Sequence, residues 1–471
     1  MIKERLVGYI EQSIRQNWEI EALSNYREKG FTYREIAGKI LKLHLFFKDA
    51  GIREGDKIAL VGRNSANWCV IYLATVTYGA VIVPILPDFK TDDLMNLINH
   101  SDSVLLFADD KIWENFDISK LPAIKGVVSV DTFALLSSGD ALLREDYSKL
   151  EEKFRNAYPE VKKDDIKFSD ITNDKLAVIS YTGGTTGFSK GVMISHNSLA
   201  ANVRFAQTHM PLKPGDPLVS FLPLAHTYGC AFEFLFPFTF GCHITILSKT
   251  PSPQIIVQAF KEIKPRLILS VPLVIEKIFK KQLLPVINKP HMKILLAIPG
   301  VNKILHKKIR EKLVETFGGR FHEIVIGGAA FNPEAELFFK KIGFKFTVGY
   351  GMTECGPLIS YASWDTTKIG ASGKNIFPEE IEAVINNMDY IAESLVISED
   401  DKLIGLIYPD YEMMKKDNIS DEQFSAILDE TRKKVNEKLP DFMVVTKYRI
   451  HPEEFAKTPK RSIKRFLYTK N

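Results

Sequence analysis

The segment richest in side chains that could do chemistry is Ser180 to Gly191, which reads SYTGGTTGFSKG and follows an apolar strand pattern, Leu176 to Ile179. Glycines let backbone N–H groups approach an anion closely, threonine hydroxyls add donors, and Lys190 adds a positive charge. The segment therefore predicts a polyphosphate-binding loop, although it lacks the G-K-[ST] signature of a Walker loop. A flexible surface loop is the alternative. The residues predicted to bind the phosphates are Thr182, Gly183, Gly184, Thr185, Thr186, Gly187 and Lys190.

A second segment, Thr347 to Glu354 (TVGYGMTE), follows another short apolar strand pattern and ends on a carboxylate. A carboxylate beside a phosphate site needs a hard cation between the two, because two anions otherwise repel each other. The segment therefore predicts a Mg²⁺ ligand at Glu354. The alternative is a structural turn in which Glu354 is simply solvated.

Two further segments place small or titratable residues after apolar runs. Gly327-Gly328-Ala329-Ala330 follows the strand pattern HEIVI, and such small residues leave room for a flat ring, although glycines after a strand also make ordinary turns. The segment LPLAHTYG contains His226, which is either a functional histidine or a core histidine with satisfied hydrogen bonds.

The elements that must position these segments alternate between helix and strand patterns. Asp56 to Val61 is predicted as a buried strand, Trp68 to Thr77 as an apolar helix and Val81 to Ile85 as the next strand, which makes one βαβ unit. Strand patterns recur at Leu218 to Leu222, His243 to Leu247, Leu267 to Val271 and Glu323 to Ile326. The expected fold class is α/β, with a large N-terminal domain of layered, mostly parallel sheets and helices.

The end of the chain predicts a separate small α+β domain. A helix is expected from Pro378 (PEEIEAVINN), and Glu393 to Ser398 with Leu403 to Tyr408 indicates an antiparallel hairpin. We expect an N-terminal domain over residues 1–370 and a mobile C-terminal domain over residues 372–471. The chain length of 471 residues agrees with at least two domains.

The composition excludes several classes of function. With 45% hydrophobic and 25% charged residues the chain is an ordinary globular protein, and a net charge of +4 is too small to indicate nucleic-acid binding, although it suits anionic substrates. The cysteines (Cys69, Cys230, Cys242 and Cys355) have neither CxxC spacing nor a histidine at zinc-ligand spacing. We therefore expect reduced, mostly buried thiols.

Membrane contact is predicted only at the surface. The first residues lack the apolar core of a secretory signal, and the apolar stretches Cys69 to Pro87 and Phe221 to Leu247 contain prolines and polar residues that fit buried helix and strand units. We expect a cytoplasmic protein. The basic stretch Lys280 to Arg310 predicts either a surface helical insertion with solvated lysines or a peripheral membrane surface.

Together these motifs resemble the adenylate-forming (AMP-binding) enzyme superfamily, whose phosphate loop is rich in Ser, Thr and Gly and ends in Lys-Gly. The resemblance implies that Thr353 contacts the α-phosphate, that Glu354 holds Mg²⁺ and that Tyr350, within Tyr350-Gly351-Met352, stacks on adenine. It also implies that Gly327, Gly328 and Ala329 form the adenine-side wall, and that His226 borders the acyl site as a gate or carboxylate neighbour.

Within the superfamily the chain resembles the long-chain fatty acyl-CoA synthetase branch. Ser270 to Ile278 is similar to a stretch typical of that branch, with Leu273 where arginine is common, and Phe232 to Phe240 either lines an acyl tunnel or is plain core. The implied substrates are ATP, a long-chain fatty acid and coenzyme A, with Mg²⁺ as cofactor. The implied catalytic residues are Thr185, Lys190, Thr353, Glu354 and His226. Transfer to a carrier protein and a non-catalytic nucleotide- or acyl-binding remnant are the alternatives.

The chain departs from the family pattern at several points. Gly183 and Ser189 stand where serine and proline are usual, and the segment that would carry the ribose-binding aspartate and the hinge Gly-Arg is missing between Gly370 and Ser372. Ser462 stands where a C-terminal catalytic lysine is expected. Its neighbours Lys460 and Lys464 reach that position only if the backbone shifts, so the catalytic lysine is unassigned.

Overall fold

The computed structural model describes residues 4–182, 190–248, 252–279, 283–287, 289–298, 300–329, 331–361, 364, 378–399, 402–439, 443–456, 463, 467 and 468. The chain forms two compact units. The first comprises Met1–Ala335 with Ile342–Ser363, and the second comprises Glu336–Lys341 with Trp364–Asn471. The predicted domain boundary between residues 370 and 372 lies outside the described residues and stays a prediction.

The strands of the first unit form two larger groups. Their bounds are β1 Glu21–Asn25, β2 Phe31–Thr32, β3 Lys57–Val61, β4 Val81–Ile85, β5 Ser103–Ala108, β6 Gly126–Ser129, β7 Leu135–Ser137, β8 Leu176–Thr182, β9 Lys190–Ser195, β10 Pro217–Ser220, β11 His243–Ile246, β12 Ile268–Ser270, β13 Ile324–Ile326, β14 Phe346–Val348, β15 Tyr350–Gly351 and β16 Leu358–Ser360. Counted over the described residues, one sheet has seven strands in the order β7-β6-β5-β3-β4-β8-β9, parallel except for β7 and β9 at its edges.

The other group joins two smaller sheets. One has the order β10-β11-β1-β2 and the other β12-β13-β14, and only β2 runs antiparallel to its neighbour. The backbone N–H of Arg266 donates to the carbonyl oxygen of Pro217 at 3.0 Å, which connects β12 to β10. Parallel strands with helical connections therefore dominate both groups, and the predicted α/β class is confirmed.

Helices cover the sheets of the first unit. Their bounds are α1 Leu6–Gln16, α2 Tyr33–Asp49, α3 Ala66–Tyr78, α4 Thr91–His100, α5 Asp110–Trp113, α6 Ala141–Ser148, α7 Leu150–Ala157, α8 His196–His209, α9 Thr227–Gly229, a π-helix Cys230–Leu235, α10 Phe236–Phe240, α11 Pro253–Ile263, α12 Pro272–Ile278, α13 Leu284–Ile287, α14 Pro290–Ala297, α15 Val301–Thr316 and α16 Pro333–Lys341, with 3₁₀ turns at Ile118–Lys120, Lys163–Asp165 and Thr353–Cys355. Helix α16 extends into the second unit.

The predicted βαβ unit is confirmed as β3-α3-β4. Helix α3 begins after Ser65, whose hydroxyl accepts from the backbone N–H of Trp68, and ends at Gly79, which takes φ of 96°. Its side chains from Ala66 to Thr77, except Asn67, are buried, which explains why the segment is apolar on all sides.

Over its described residues, the second unit contains a mixed sheet and three helices of its own. The strands β17 Ile391–Glu399, β18 Lys402–Pro409 and β19 Val445–Ile450 lie in that order, with α17 Pro378–Ile385, α18 Tyr411–Lys416 and α19 Asp421–Lys438. The predicted hairpin is confirmed, since β17 pairs antiparallel with β18, and the helix expected from Pro378 is α17.

Both apolar stretches are buried elements. Cys69 to Pro87 contains most of α3 and β4, whereas Phe221 to Leu247 contains short helices and β11. No helix in the part of the chain that the structure describes is long and apolar enough to cross a membrane. The thiols of Cys69, Cys230 and Cys242 are buried as predicted, and Cys355 is half-buried.

Two histidines, the buried His196 and the half-buried His44, predict a pH-dependent stability. Burial lowers the pKa of both His44 and His196 from 6.5 to about 4. As the pH falls below 6.5 the unfolded chain therefore binds protons first, so the free energy of unfolding decreases down to about pH 4, by about 1.4 kcal/mol per pH unit for each histidine. Neither ring nitrogen of His196 has a hydrogen-bond partner among the described residues.

We accordingly expect His196→Leu to reduce this slope and to cost no stability at pH 7.5, because it removes no hydrogen bond. Urea unfolding across this pH range measures the slope, with His291→Gln as the exposed control. Parallel pH profiles for the wild type and His196→Leu would contradict the assignment.

Candidate active site

The parallel strands β12, β13 and β14 form one sheet, and their carboxyl ends meet at one edge of it. Backbone bonds continue just past the strands, since Gly327 N–H donates to Ser270 O at 3.0 Å and Gly349 N–H donates to Ile326 O at 2.8 Å. Ligands of open parallel sheets bind outside these carboxyl ends. The edge where β12, β13 and β14 end is therefore a candidate binding site.

A cavity of about 390 Å³ occupies this edge. Three of the predicted motifs line it, through Gly327 and Gly328 after β13, through Tyr350 to Thr353 after β14, and through His226 to Gly229. Ala329 is exposed beside Gly328 and is not part of the lining. The His226 segment and the Tyr350 segment, which are more than a hundred residues apart in the sequence, thus share one wall, which the sequence alone indicated only through resemblance.

Two paired strands flank the predicted phosphate loop in the sequence. Thr182 ends β8 and Lys190 begins β9, and the two residues are cross-strand partners in an antiparallel ladder. Lys190 is exposed. Gly183, Gly184, Thr185, Thr186 and Gly187 lie outside the described residues, so their predicted role stays a prediction.

The carboxylate segment forms a compact turn. Thr353 to Cys355 is a 3₁₀ turn inside the hairpin of β15 and β16, and the backbone N–H of Met352 donates to Pro357 O at 2.9 Å. Thr353 lines the cavity, and Tyr350 exposes 64% of its surface, which leaves its ring available for stacking.

Glu354 lies exposed in this turn, next to the cavity-lining Thr353. Its carboxylate is exposed and makes no ion pair or hydrogen bond with the described residues. No cluster of three His, Cys, Asp or Glu side chains occurs within the ranges that the structure describes. Mg²⁺ is commonly held by one or two carboxylates together with substrate phosphates rather than by an all-protein cage, so Glu354 fits such an ion.

Gly327 and Gly328 form a glycine wall of the cavity, and Tyr228 packs against Gly327. Tyr228 is not among the site residues predicted from the sequence. Its hydroxyl donates to Val325 O at 3.1 Å, and burial raises the pKa of this phenol well above its usual range, so it remains a donor. A Cβ on Gly327 would lie 3.1 Å from Cζ of Tyr228. Only a residue without a side chain therefore lets the ring pack this closely under the backbone.

His226 is a cavity histidine. Its side chain is exposed and lines the cavity, which disagrees with the alternative of a core histidine. Surrounding protein nevertheless desolvates the ring and lowers the pKa of the imidazole, so His226 is neutral at pH 7.

Most of the phenylalanine-rich run is core. Phe234, Phe236 and Phe238 are completely buried, whereas Phe232 is buried and also lines the cavity. The tunnel interpretation therefore applies at most to Phe232 among these four residues.

Glu233 is a buried acid whose role is not visible in the sequence. Its side chain is 1% exposed within the π-helix, and one oxygen, Oε2, accepts from the backbone N–H groups of Phe221 and Leu222 and from the Ser220 hydroxyl at 2.9 to 3.0 Å. Burial raises the pKa of this carboxyl well above its usual range. These bonds also explain why β10 ends at Ser220 rather than at the predicted Leu222, because the carboxyl replaces the next strand partner.

Replacing Glu233 by alanine should destabilise the chain strongly. Two backbone N–H groups and one hydroxyl would lose their buried acceptor, which costs about 3 kcal/mol in free energy of unfolding. Glu233→Gln keeps an acceptor oxygen and should cost about 1 kcal/mol or less. Urea titration of both variants measures the difference. Equal losses for alanine and glutamine would contradict the proposed hydrogen-bonding role.

Comparison with known proteins defines the class. Residues 10–392 match the sequence pattern of the family described as AMP-binding enzyme, and the chain belongs to this family.

Its curated relatives are acyl-activating enzymes. A probable chloroplastic acyl-activating enzyme 16 of Arabidopsis thaliana is 26% identical over 75% of this chain and 56% of its own length. A chloroplastic long-chain-fatty-acid–[acyl-carrier-protein] ligase of the same plant is 23% identical over 75% of the chain and 55% of its own length. The peroxisomal long chain acyl-CoA synthetase 7 of Arabidopsis thaliana is 26% identical over 70% of this chain and 48% of its own length. The chain thus spans about half the length of these relatives.

Solved structures show the same fold. The adenylation domain of a carboxylate reductase from Mycobacterium chelonae is 15% identical with a TM-score of 0.57, and the match covers 99% of this chain and 90% of that one. MatB from Rhodopseudomonas palustris is 16% identical with a TM-score of 0.55, and the match covers 98% of each chain. At this identity the likeness shows the fold alone.

Proposed function

We propose that this AMP-binding family member activates a long-chain fatty acid as its acyl-adenylate and transfers the acyl group to coenzyme A. The observation that carries the proposal is the meeting of the glycine wall, the Tyr350 to Thr353 segment and His226 in one cavity at the carboxyl ends of parallel strands. Relatives named as long-chain acyl-CoA synthetases support the substrate class.

The proposed reaction has two steps and needs no protein nucleophile. The fatty-acid carboxylate attacks the α-phosphorus of ATP, which breaks the bond to the β-phosphate and releases pyrophosphate. The thiol of coenzyme A then attacks the acyl carbonyl, and AMP leaves. The chain contributes by positioning the reactants and by stabilising charge.

The predicted residues other than Ala329 have a place in this scheme. Thr182 to Gly187 and Lys190 bind the polyphosphate, Thr353 contacts the α-phosphate, and Tyr350 with Gly351 and Met352 borders the adenine opposite Gly327 and Gly328. Mg²⁺ bound by Glu354 would neutralise phosphate charge. His226, neutral at pH 7, borders the entering carboxylate without adding a charge to it.

Pyrophosphate release from Mg-ATP tests the proposal. We expect release that requires a fatty acid, with acyl-CoA appearing only when coenzyme A is present. ATP binding without acid-dependent release would overturn the proposal and leave the non-catalytic remnant as the function.

Acyl transfer to a carrier protein is the second candidate. One relative is named a long-chain-fatty-acid–[acyl-carrier-protein] ligase, and it matches as much of this chain as the first relative does. Offering coenzyme A and holo-acyl-carrier-protein in parallel, after acyl-AMP has formed, decides which thiol accepts the acyl group.

We also propose that the basic helical stretch contacts an anionic lipid surface from the cytoplasm. Residues 280–310 contain eight Lys or Arg and no acidic residue, whereas the whole chain has a net charge of only +4. Within this stretch Ile294 and Ile304 are 65% and 60% exposed, beside exposed lysines such as Lys303 and Lys307. Lysines with protruding aliphatic side chains suit the headgroup and acyl boundary of a bilayer.

Sedimentation with phosphatidylcholine vesicles, with and without phosphatidylglycerol, tests this contact. Binding should require the anionic lipid and should be weakened by Ile304→Asp but not by Leu142→Asp, which alters a leucine on α6 that is 71% exposed. Absence of binding, or equal binding by both variants, would contradict the proposed lipid surface.

A further inference from the structure

One buried side chain links α8 to the turn that carries Thr353 and Glu354. Asn202 is 6% exposed, its Nδ2 donates to the backbone oxygen of Cys355 at 3.2 Å, and its Oδ1 accepts from the backbone N–H of Leu358 at 2.9 Å. Nδ2 also donates to Ser198 O at 2.9 Å within the helix. A single amide thus holds both ends of the segment from Cys355 to Leu358.

Helix α8 is continuous with the strand that carries Lys190. Strand β9 runs from Lys190 to Ser195, and Ser195 caps α8 by accepting from the backbone N–H of Ser198 at 3.3 Å. Asn202 therefore connects the chain segment that follows the phosphate loop to the segment that contains Glu354.

The turn lies as close to α8 as its backbone permits. Gly356 takes φ of 72°, and a Cβ at this position would lie 2.9 Å from Cβ of Ser198. Bonds inside the turn, such as Gly356 N–H to Thr353 O at 3.1 Å, fix its shape. The bonds from Asn202 instead tie the turn to the segment that carries Lys190.

We propose that Asn202 is a positioning residue that sets the location of Glu354 relative to Lys190 and thereby tunes metal-dependent ATP binding. This inference rests on the proposed function, because it assigns Lys190 to the phosphates and Glu354 to Mg²⁺. Without the amide the turn keeps its internal bonds but is free to move away from α8. Glu354 is then no longer held in place before ATP binds. Binding must order the turn, and the affinity for Mg-ATP falls because of that cost.

Calorimetry of ATP binding at a series of Mg²⁺ concentrations tests Asn202 without requiring turnover. For Asn202→Ala we expect the half-saturating Mg²⁺ concentration to rise about tenfold, since buried hydrogen bonds are lost. Asn202→Asp keeps the acceptor for Leu358 but places an oxygen against two carbonyls, and should show a similar shift. Where turnover is measured, kcat at saturating Mg²⁺ should change far less than the half-saturating concentration.

Two matched variants separate positioning from general damage to α8. Gln207→Ala removes another side-chain amide from the same helix, one that donates to Thr239 Oγ1 at 3.2 Å, and should leave the Mg²⁺ dependence unchanged. In Gly356→Ala the added methyl group would meet Ser198 and push the turn away from α8. This variant should reproduce the rise in the half-saturating Mg²⁺ concentration, and it tests the inference if Asn202→Ala does not fold.

An unchanged Mg²⁺ dependence in the folded Asn202 or Gly356 variants would overturn the inference, as would an equal shift in Gln207→Ala. A wild-type chain that binds Mg-ATP but releases no pyrophosphate would refute the proposed reaction and still leave Asn202 testable by calorimetry.

Discussion

Glu354→Gln is expected to reduce acid-dependent pyrophosphate release by about 10² to 10³-fold while the chain stays folded, because the variant removes a metal-binding charge beside the phosphates. The stability should be unaffected, since the carboxylate is exposed and makes no hydrogen bond or ion pair with the described residues. Pyrophosphate release across a Mg²⁺ titration, together with urea unfolding, measures both quantities.

Glu315→Gln is the matched control for this prediction. Glu315 is also exposed in the first unit and lies near the end of α15, outside the turn that contains Glu354. Its substitution therefore removes the same charge at a different site. Full activity in Glu354→Gln would show that the carboxylate is only a solvated turn residue. Equal loss in the two variants would point to net charge rather than to a metal ligand.

Gly351→Ala should nearly abolish activity by a steric route. A Cβ at Gly351 would overlap the carbonyl oxygen of Pro357, and this oxygen already accepts from the backbone N–H of Met352. One of these backbone segments must move, and Thr353 and Glu354 lie between them. We expect a loss of about 10²-fold in pyrophosphate release, because displacing positioning groups by about 1 Å has effects of this size.

Gly349→Ala distinguishes steric overlap from the general cost of replacing glycine. Its Cβ would meet Cγ1 of Val325 at 3.6 Å, an ordinary contact distance, and both glycines line the same cavity. Activity should therefore remain within about threefold of wild type, because a methyl group at Gly349 makes only an ordinary contact and costs little free energy. A Gly349 variant as impaired as Gly351→Ala would mean that the cavity wall tolerates no methyl group at all.

Much of the architecture could be predicted because the relevant signals are local. The buried strands β3 and β4 and the apolar helix α3 were predicted within two residues of their bounds, since each is a short apolar run ended by a turn residue. The glycine motifs were recognised one by one after apolar strand patterns, whereas their meeting at one edge was indicated only by resemblance, because the order of the strands in a sheet is not written in the local sequence.

The missed features depend on contacts and burial that exist only in the folded chain. Glu233 stands alone in an apolar run, and only the folded chain brings the N–H groups of Phe221 and Leu222 to its carboxyl. Asn202 resembles any helical asparagine until its partners, more than 150 residues away, are known. Strand β9 is not predicted by its hydrophobic pattern. Met193 and Ile194 are both apolar, yet Met193 is 75% exposed and Ile194 is buried, so apolar and polar residues do not alternate with the two faces of the strand.

The pairing of Thr182 with Lys190 bears on how such a site can change during evolution. Side chains alternate between the two faces of a strand, so one residue inserted or deleted between Lys190 and Ser195 would turn part of β9 over or force a bulge. Substitutions at single positions of β9 leave that register intact. We therefore expect homologous sequences to vary in residue type along β9 more readily than in its length.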